Sequence, residues 1–207
     1  MESTVPENLK IIETFGWHPI GGVARLSLHR ARLARTAKDL GFAFDGADFD
    51  TALSTLNGDS PLRIRLTVEA SGKIEMTTAP LTPSGTWRVA LSPVRLASDD
   101  PFLPIKTTQR APYEAARARM PLGVDEVILL NERDEVCEGT ITNLFLLRDG
   151  HYLTPAASSG LLLGVLRESM LATGKAREAL LTPADLREGA LFMGNSLRGL
   201  IPALLEH

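Results

Sequence analysis

Only one cysteine, Cys137, occurs in the 207 residues. No disulfide can form within the chain, and this usage fits a reducing compartment. No apolar run comes near the ~20 residues needed to cross a bilayer. Residues 1–10 are polar, with two glutamates, and lack the apolar core of a signal peptide; the cytoplasm is the simplest address. Positive charge is not in excess either. Lys and Arg number 22 against 25 Asp and Glu, a formal net charge of −3. The arginines are interleaved with acids, which excludes a basic face for nucleic acid. Internal repeats and low-complexity tracts are also missing. What is there is ordinary for a soluble globular protein: 44% hydrophobic and 23% charged residues, in a length that suits one large domain or two small ones.

Periodicity gives a mixed α and β reading. Residues 9–15 form a short apolar strand, followed by a Gly/Pro turn at 19–22. Ser27 is placed to cap a helix running to about Leu40, with Leu33, Ala37 and Leu40 on its apolar face and Gly41 as terminator. Residues 48–56 read as a second helix. Residues 62–69 alternate arginine with apolar side chains, and 74–78 return as the hairpin partner after the turn at 71–73. Residues 87–96 read as another strand. The polar, proline-bearing stretch 97–104 is the expected linker, dividing the chain into 1–98 and 99–207. Beyond it come a helix at 113–120, strands at 126–130, 136, 144–147 and 152–154, helices at 164–173 and 183–188, and a strand at 190–193.

Four features can carry chemistry, and each has a plainer reading. Lys106 follows the expected linker in Pro-Ile-Lys-Thr-Thr-Gln-Arg. Burial in a cleft would lower its pKa and free the amine as a nucleophile; the alternative is a solvated lysine. Glu138 is followed by small and apolar residues up to Asn143 and Phe145, so it either points inward or is a turn acid. Gly160 to Gly164 lead into a helix starting near Val165, whose first N–H groups could bind phosphate, and Ser196 could add a hydroxyl. A plain glycine turn and a loop serine serve equally well. Arg32, in His29-Arg30-Ala31-Arg32-Leu33, is either a phosphate fork or a solvated helix charge.

Taken in order, Glu138-Gly139-(x)3-Asn143-x-Phe145, Ser158-Ser159-Gly160-(x)3-Gly164-(x)2-Arg167 and Lys106-Thr107 resemble the class IV aminotransferase family, over about residues 12–202. The resemblance implies an α+β, D-amino-acid-aminotransferase-like fold (fold type IV), with a small α/β N-terminal domain, a C-terminal pseudo-barrel, pyridoxal 5'-phosphate (PLP) between them, and a homodimer. It implies that Lys106 links to the cofactor aldehyde and shuttles the proton, and that Glu138 partners the pyridine nitrogen. Arg32, the N–H groups of Val165 and Leu166, and the Ser196 hydroxyl would hold the phosphate, with Asn143 also at the cofactor. Arg65 would hold a substrate carboxylate, and Tyr113 would contact substrate although it lies further from the lysine than the family tyrosine.

Two segments are similar to the 4-amino-4-deoxychorismate lyases. Ile12-Glu13-Thr14 carries a threonine suited to proton transfer, and Gly194-Asn195-Ser196-Leu197-Arg198-Gly199 is lyase-like. That branch releases pyruvate and leaves 4-aminobenzoate for folate synthesis, with Lys106 taking the α-proton and Thr14 helping to protonate the departing product. The alternatives are an aminotransferase acting on branched-chain or D-amino acids, and a PLP-binding protein without turnover. Fewer residues precede Ile12 than in most members, which is the ground for the last. No metal site is expected.

Overall fold

The computed structural model describes residues 5–206; residues 1–4 of the polar N-terminal stretch and His207 lie outside the description. The described chain divides into two compact units. The first contains the residues up to Thr82 together with Lys106–Gln109, and the second contains Pro83–Ile105 and the residues from Arg110 onward.

In the first unit, β1 (Ile11–His18), β2 (Gly22–Val23), α1 (Leu26–Leu40), α2 (Gly46–Ser54), β3 (Leu62–Val68) and β4 (Ile74–Pro80) follow in sequence. The sheet runs in the order β2-β1-β3-β4. Alternation divides its faces. Ile11, Glu13 and Phe15 lie opposite Val68, Leu66 and Ile64, and all six are buried. Helix α1 adds buried Leu33 and Ala37, and α2 adds Phe49. The other face carries Ile12 opposite Thr67, Thr14 opposite Arg65 and Gly16 opposite Arg63. The expected cap at Ser27 is not used: α1 starts after Arg25, in the left-handed conformation at φ 57°, and Ser27 is already inside the helix. Gly41 does end it, with φ 69°. Helix α2 starts earlier than its apolar pattern implies, because the Asp45 carboxylate accepts from Ala47 N at 2.8 Å.

The second unit contains β5 (Trp87–Leu96), α3 (Ala111–Ala118), β6 (Glu126–Asn131), β7 (Val136–Gly139), β8 (Asn143–Arg148), β9 (His151–Pro155), α4 (Val165–Ala172), β10 (Ala176–Ala179), β11 (Ala190–Asn195) and β12 (Gly199–Leu205). Strand order is β10-β9-β8-β11-β12-β5-β6-β7, and β7 also pairs with β8. That last pairing closes β5, β6, β7, β8, β11 and β12 into a ring. The barrel interior is filled by Val89, Ile128, Leu130, Val136, Leu144, Leu146 and Met193. Alternate residues of the same strands, Val127, Leu129 and Cys137, pack outward with Tyr113 and Ala116 of α3. Strand β6 is therefore buried on both faces, which explains its uninterrupted apolar run.

The boundary expected at residue 98 is displaced. Strand β5 pairs with β6 and β12, so it belongs to the barrel and the division falls at Thr82. The polar stretch 97–104 is a set of turns inside the second unit. Asp185–Arg187 form a single 3-10 turn where a short helix was expected.

Candidate functional site

Lys106 is half-buried and sits on an extended stretch against the edge of β1. Thr107 bridges Ile11 in antiparallel fashion, Ile12 N donates to Lys106 O at 2.8 Å, and Thr108 N donates to Lys10 O at 2.9 Å. The pairing puts Lys106 across from Ile12. Opposed residues share a sheet face, so Lys106 belongs to the face that carries Ile12, Thr14, Arg65 and Arg63, while buried Thr107 goes to the core. Three of the expected residues of the first unit, Lys106, Thr14 and Arg65, are thus gathered on one face.

Arg32 is not on that face. It rises from α1 on the core side, where its Nε donates to Glu13 Oε1 at 2.8 Å and its Nη2 to Glu13 Oε2 at 2.7 Å. His29 Nδ1 lies 2.6 Å from the same Oε2. Glu13 and His29 are fully enclosed and Arg32 nearly so. Burial pushes the Glu13 carboxyl up, but the charge of Arg32 and the hydrogen bonds from His29 and Arg32 outweigh it and hold the group at about 2. Two guanidinium nitrogens of Arg32, Nε and Nη2, are thus engaged in an ion pair with Glu13.

The second unit builds a different cluster around Glu138, on β7. Its Oε1 accepts from the Tyr113 hydroxyl at 2.7 Å and from Leu162 N at 2.8 Å, and its Oε2 accepts from Asn143 Nδ2 at 3.3 Å. Asn143 also donates to Leu162 O at 2.9 Å. Glu138 and Asn143 face each other across β7 and β8, which explains the five-residue spacing in sequence. Tyr113, expected at substrate, is only 6% exposed and is an anchor for this acid. Burial and the nearby Glu138 charge raise its pKa, so the phenol stays a donor. The Arg110 guanidinium lies over the ring, 4.6 Å from its centroid.

Leu162 belongs to the segment entering α4. Helix geometry leaves the N–H groups of Val165 and Leu166 without intrahelical acceptors. Two glycines keep this corner tight. A Cβ on Gly164 would lie 2.0 Å from Asn143 Oδ1, and one on Gly194 would lie 2.9 Å from Leu166 Cδ2. Buried Ser196 follows Gly194 in the turn joining β11 to β12, where Arg198 N donates to Asn195 Oδ1 at 2.9 Å. The structure therefore brings Glu138, Asn143, Tyr113 and the start of α4 into one cluster, with Ser196 in the turn that follows β11, the strand paired with β8.

Two buried acids escaped the sequence reading. Glu13 had a signal: it shares the period-two face of Ile11 and Phe15, so it had to find a buried partner. Glu126 had none. Thr140 Oγ1 and Thr142 Oγ1 donate to it at 2.7 and 3.2 Å, and Ile141 N at 3.1 Å. It pins the loop that joins β7 to β8.

Comparison with known proteins agrees with this geometry. The family model for class IV aminotransferases matches residues 10–205. A crystal structure from Mesorhizobium loti, provisionally assigned as an amino-acid aminotransferase, is 41% identical, covers 96% of this chain and 100% of its own, and superposes with a TM-score of 0.89. A Thermotoga maritima protein provisionally assigned as a branched-chain-amino-acid aminotransferase is 31% identical, over 86% of this chain and 71% of its own length. One from Schizosaccharomyces pombe, provisionally assigned as an aminodeoxychorismate lyase, is 26% identical over 89% and 85%. The match of the family model over nearly the whole chain shows that it belongs to the class IV aminotransferase family, as a PLP-dependent enzyme of fold type IV.

Proposed function

We propose that this enzyme is a 4-amino-4-deoxychorismate lyase, forming 4-aminobenzoate and pyruvate for folate synthesis. The observation that carries the reading is the shared sheet face of Lys106, Thr14 and Arg65. It offers an amine, a hydroxyl and a cation together, which suits proton removal, proton return and the grip of a carboxylate. The donor set of the second unit fits the cofactor. Glu138 is a buried acid suited to a protonated ring nitrogen, with Asn143 helping to hold it. The N–H groups of Val165 and Leu166, at a corner kept narrow by Gly164 and Gly194, suit a phosphate, and Ser196 adds a hydroxyl. A phosphate role for Arg32 would have to use the part of the guanidinium that Glu13 does not hold.

When bound, the cofactor draws electrons away from the reacting carbon of the amino compound. Lys106 would hold it covalently and move the proton, Thr14 would return a proton to the departing group, and Arg65 would orient the substrate by its carboxylate. Tyr113 acts through Glu138. Among the described residues no helix is long and apolar enough to cross a membrane. A cytoplasmic homodimer is part of the same proposal.

The test is to supply 4-amino-4-deoxychorismate to the PLP-loaded protein and follow pyruvate with no keto acid present. Thr14→Val should lower pyruvate release by about 10²–10⁴-fold, and Lys106→Ala should abolish it together with the visible band of the bound cofactor. The second reading, an aminotransferase, is favoured by the 41% identical relative. It predicts no pyruvate from that substrate and ping-pong exchange of amino acids with 2-oxoglutarate. Cofactor uptake with neither activity would leave a PLP-binding protein without turnover.

A further inference from the structure

We infer that Tyr113 is a positioning residue that fixes the orientation in which the Glu138 carboxylate is offered to the ring nitrogen of the cofactor. The inference rests on the PLP reading and deepens it. Oε1 receives two short bonds, from the Tyr113 hydroxyl at 2.7 Å and from Leu162 N at 2.8 Å, and Asn143 donates to Oε2 at 3.3 Å. A carboxylate rotates about one bond, and two strong donors on the same oxygen stop that rotation. One donor comes from α3 and the other from the segment that enters α4, so the acid is fixed from both sides.

The phenol is itself held. Its ring packs with Leu103, Val127, Leu129 and Cys137, and Arg110 covers one face while donating to Thr140 O. Arg117 donates to Thr140 Oγ1 at 2.8 Å, and that hydroxyl donates to Glu126. The tyrosine is therefore built into the α3–β7 packing and has no spare reach toward a substrate.

A hydrogen bond to a carboxylate favours its charged form. Without the Tyr113 hydroxyl, Glu138 becomes more basic and free to turn, and the proton shared with the ring nitrogen shifts toward the acid. A proton on the ring disfavours a second proton elsewhere on the cofactor. Its loss therefore raises the pH midpoint at which the bound cofactor changes colour.

Three readouts test this on the loaded protein: that spectral midpoint, the PLP dissociation constant, and kcat against KM. Tyr113→Phe keeps the ring and removes the donor. We expect its midpoint to rise by about one pH unit, in the direction of the Glu138→Gln variant, with kcat lowered about tenfold and KM nearly unchanged, the loss of one charge-assisted bond. A second variant covers failure of the phenylalanine protein to fold. The chain has two tyrosines, so fluorotyrosine incorporated in a Tyr152→Phe background reports on position 113 alone. Its more acidic hydroxyl should move the midpoint the opposite way. An unshifted midpoint in either variant would overturn the role of Tyr113 while leaving the PLP reading intact. Failure of the wild-type protein to take up PLP would overturn both.

Discussion

The charge most deeply enclosed in the first unit is Glu13, and its environment sets a pH dependence with a definite sign. Its carboxyl titrates at about 2 when folded, against an ordinary 4.5. A depressed folded pKa means that the stabilisation is fully present above about 4.5 and disappears as pH falls toward 2, amounting to about 3 kcal/mol for such a gap. Glu13→Gln removes that dependence. It also leaves Arg32 enclosed without its counter-ion, a change that costs about 3–5 kcal/mol at neutral pH. Urea unfolding at a series of pH values between ~2 and ~7 reads both effects. Equal acid sensitivity in the variant and the wild type would show that the Glu13 pair does not govern the acid limb. The residue was legible only by half. Alternation places it on the core face, but the pattern leaves Arg32 as either a phosphate fork or a solvated helix charge, because a sequence does not say which helix charge meets a buried acid.

At the scale of elements, the strands were the most legible part. The run at 87–96 and the hairpin at 62–69 and 74–78 recur as β5, β3 and β4, since period two and turn glycines are local signals. Strands β10 and β12 were missed. β10 gains its partner β9 from across α4, and β12, besides its hairpin with β11, is joined by β5 from far along the chain; neither long-range pairing is announced locally. The segment entering α4 was seen as a glycine turn, and its purpose emerges only from contacts. Asn143 fills the space where a Gly164 side chain would stand. Gly164→Ala must displace Asn143 and with it one of the donors to Glu138, so we expect a loss of about 1–3 kcal/mol, as for other overpacked sites, and weaker PLP retention. Denaturant unfolding of the apo protein, followed by cofactor dialysis, separates the two. Unchanged values in both would mean that the corner is looser than its distances imply.

For the whole molecule, the misplaced boundary has a physical origin. Proline and polar residues at 97–104 mark a break in regular structure, and a break is not a division between cores. What decides the division is which sheet β5 joins, a long-range pairing. The lysine lies past that stretch, yet its segment returns to the first unit, so the two units are interleaved in sequence and neither is one continuous piece of chain. The lone cysteine gives a way to watch one of them open. Cys137 is fully buried on β7 next to Glu138. Burial, aided by the neighbouring carboxylate charges, pushes its thiol up to about 12. A thiol reagent at pH ~8 should therefore modify the native protein far more slowly than the urea-unfolded chain, because only a transiently opened second unit exposes it. PLP that binds the closed form stabilises it by mass action, about 2.7 kcal/mol at a hundredfold excess over the dissociation constant. Where opening is a rapid pre-equilibrium, modification should slow by about a hundredfold under that loading. A rate insensitive to PLP would mean that the cofactor does not engage the barrel unit that holds Glu138, and the role of that acid would fall with it.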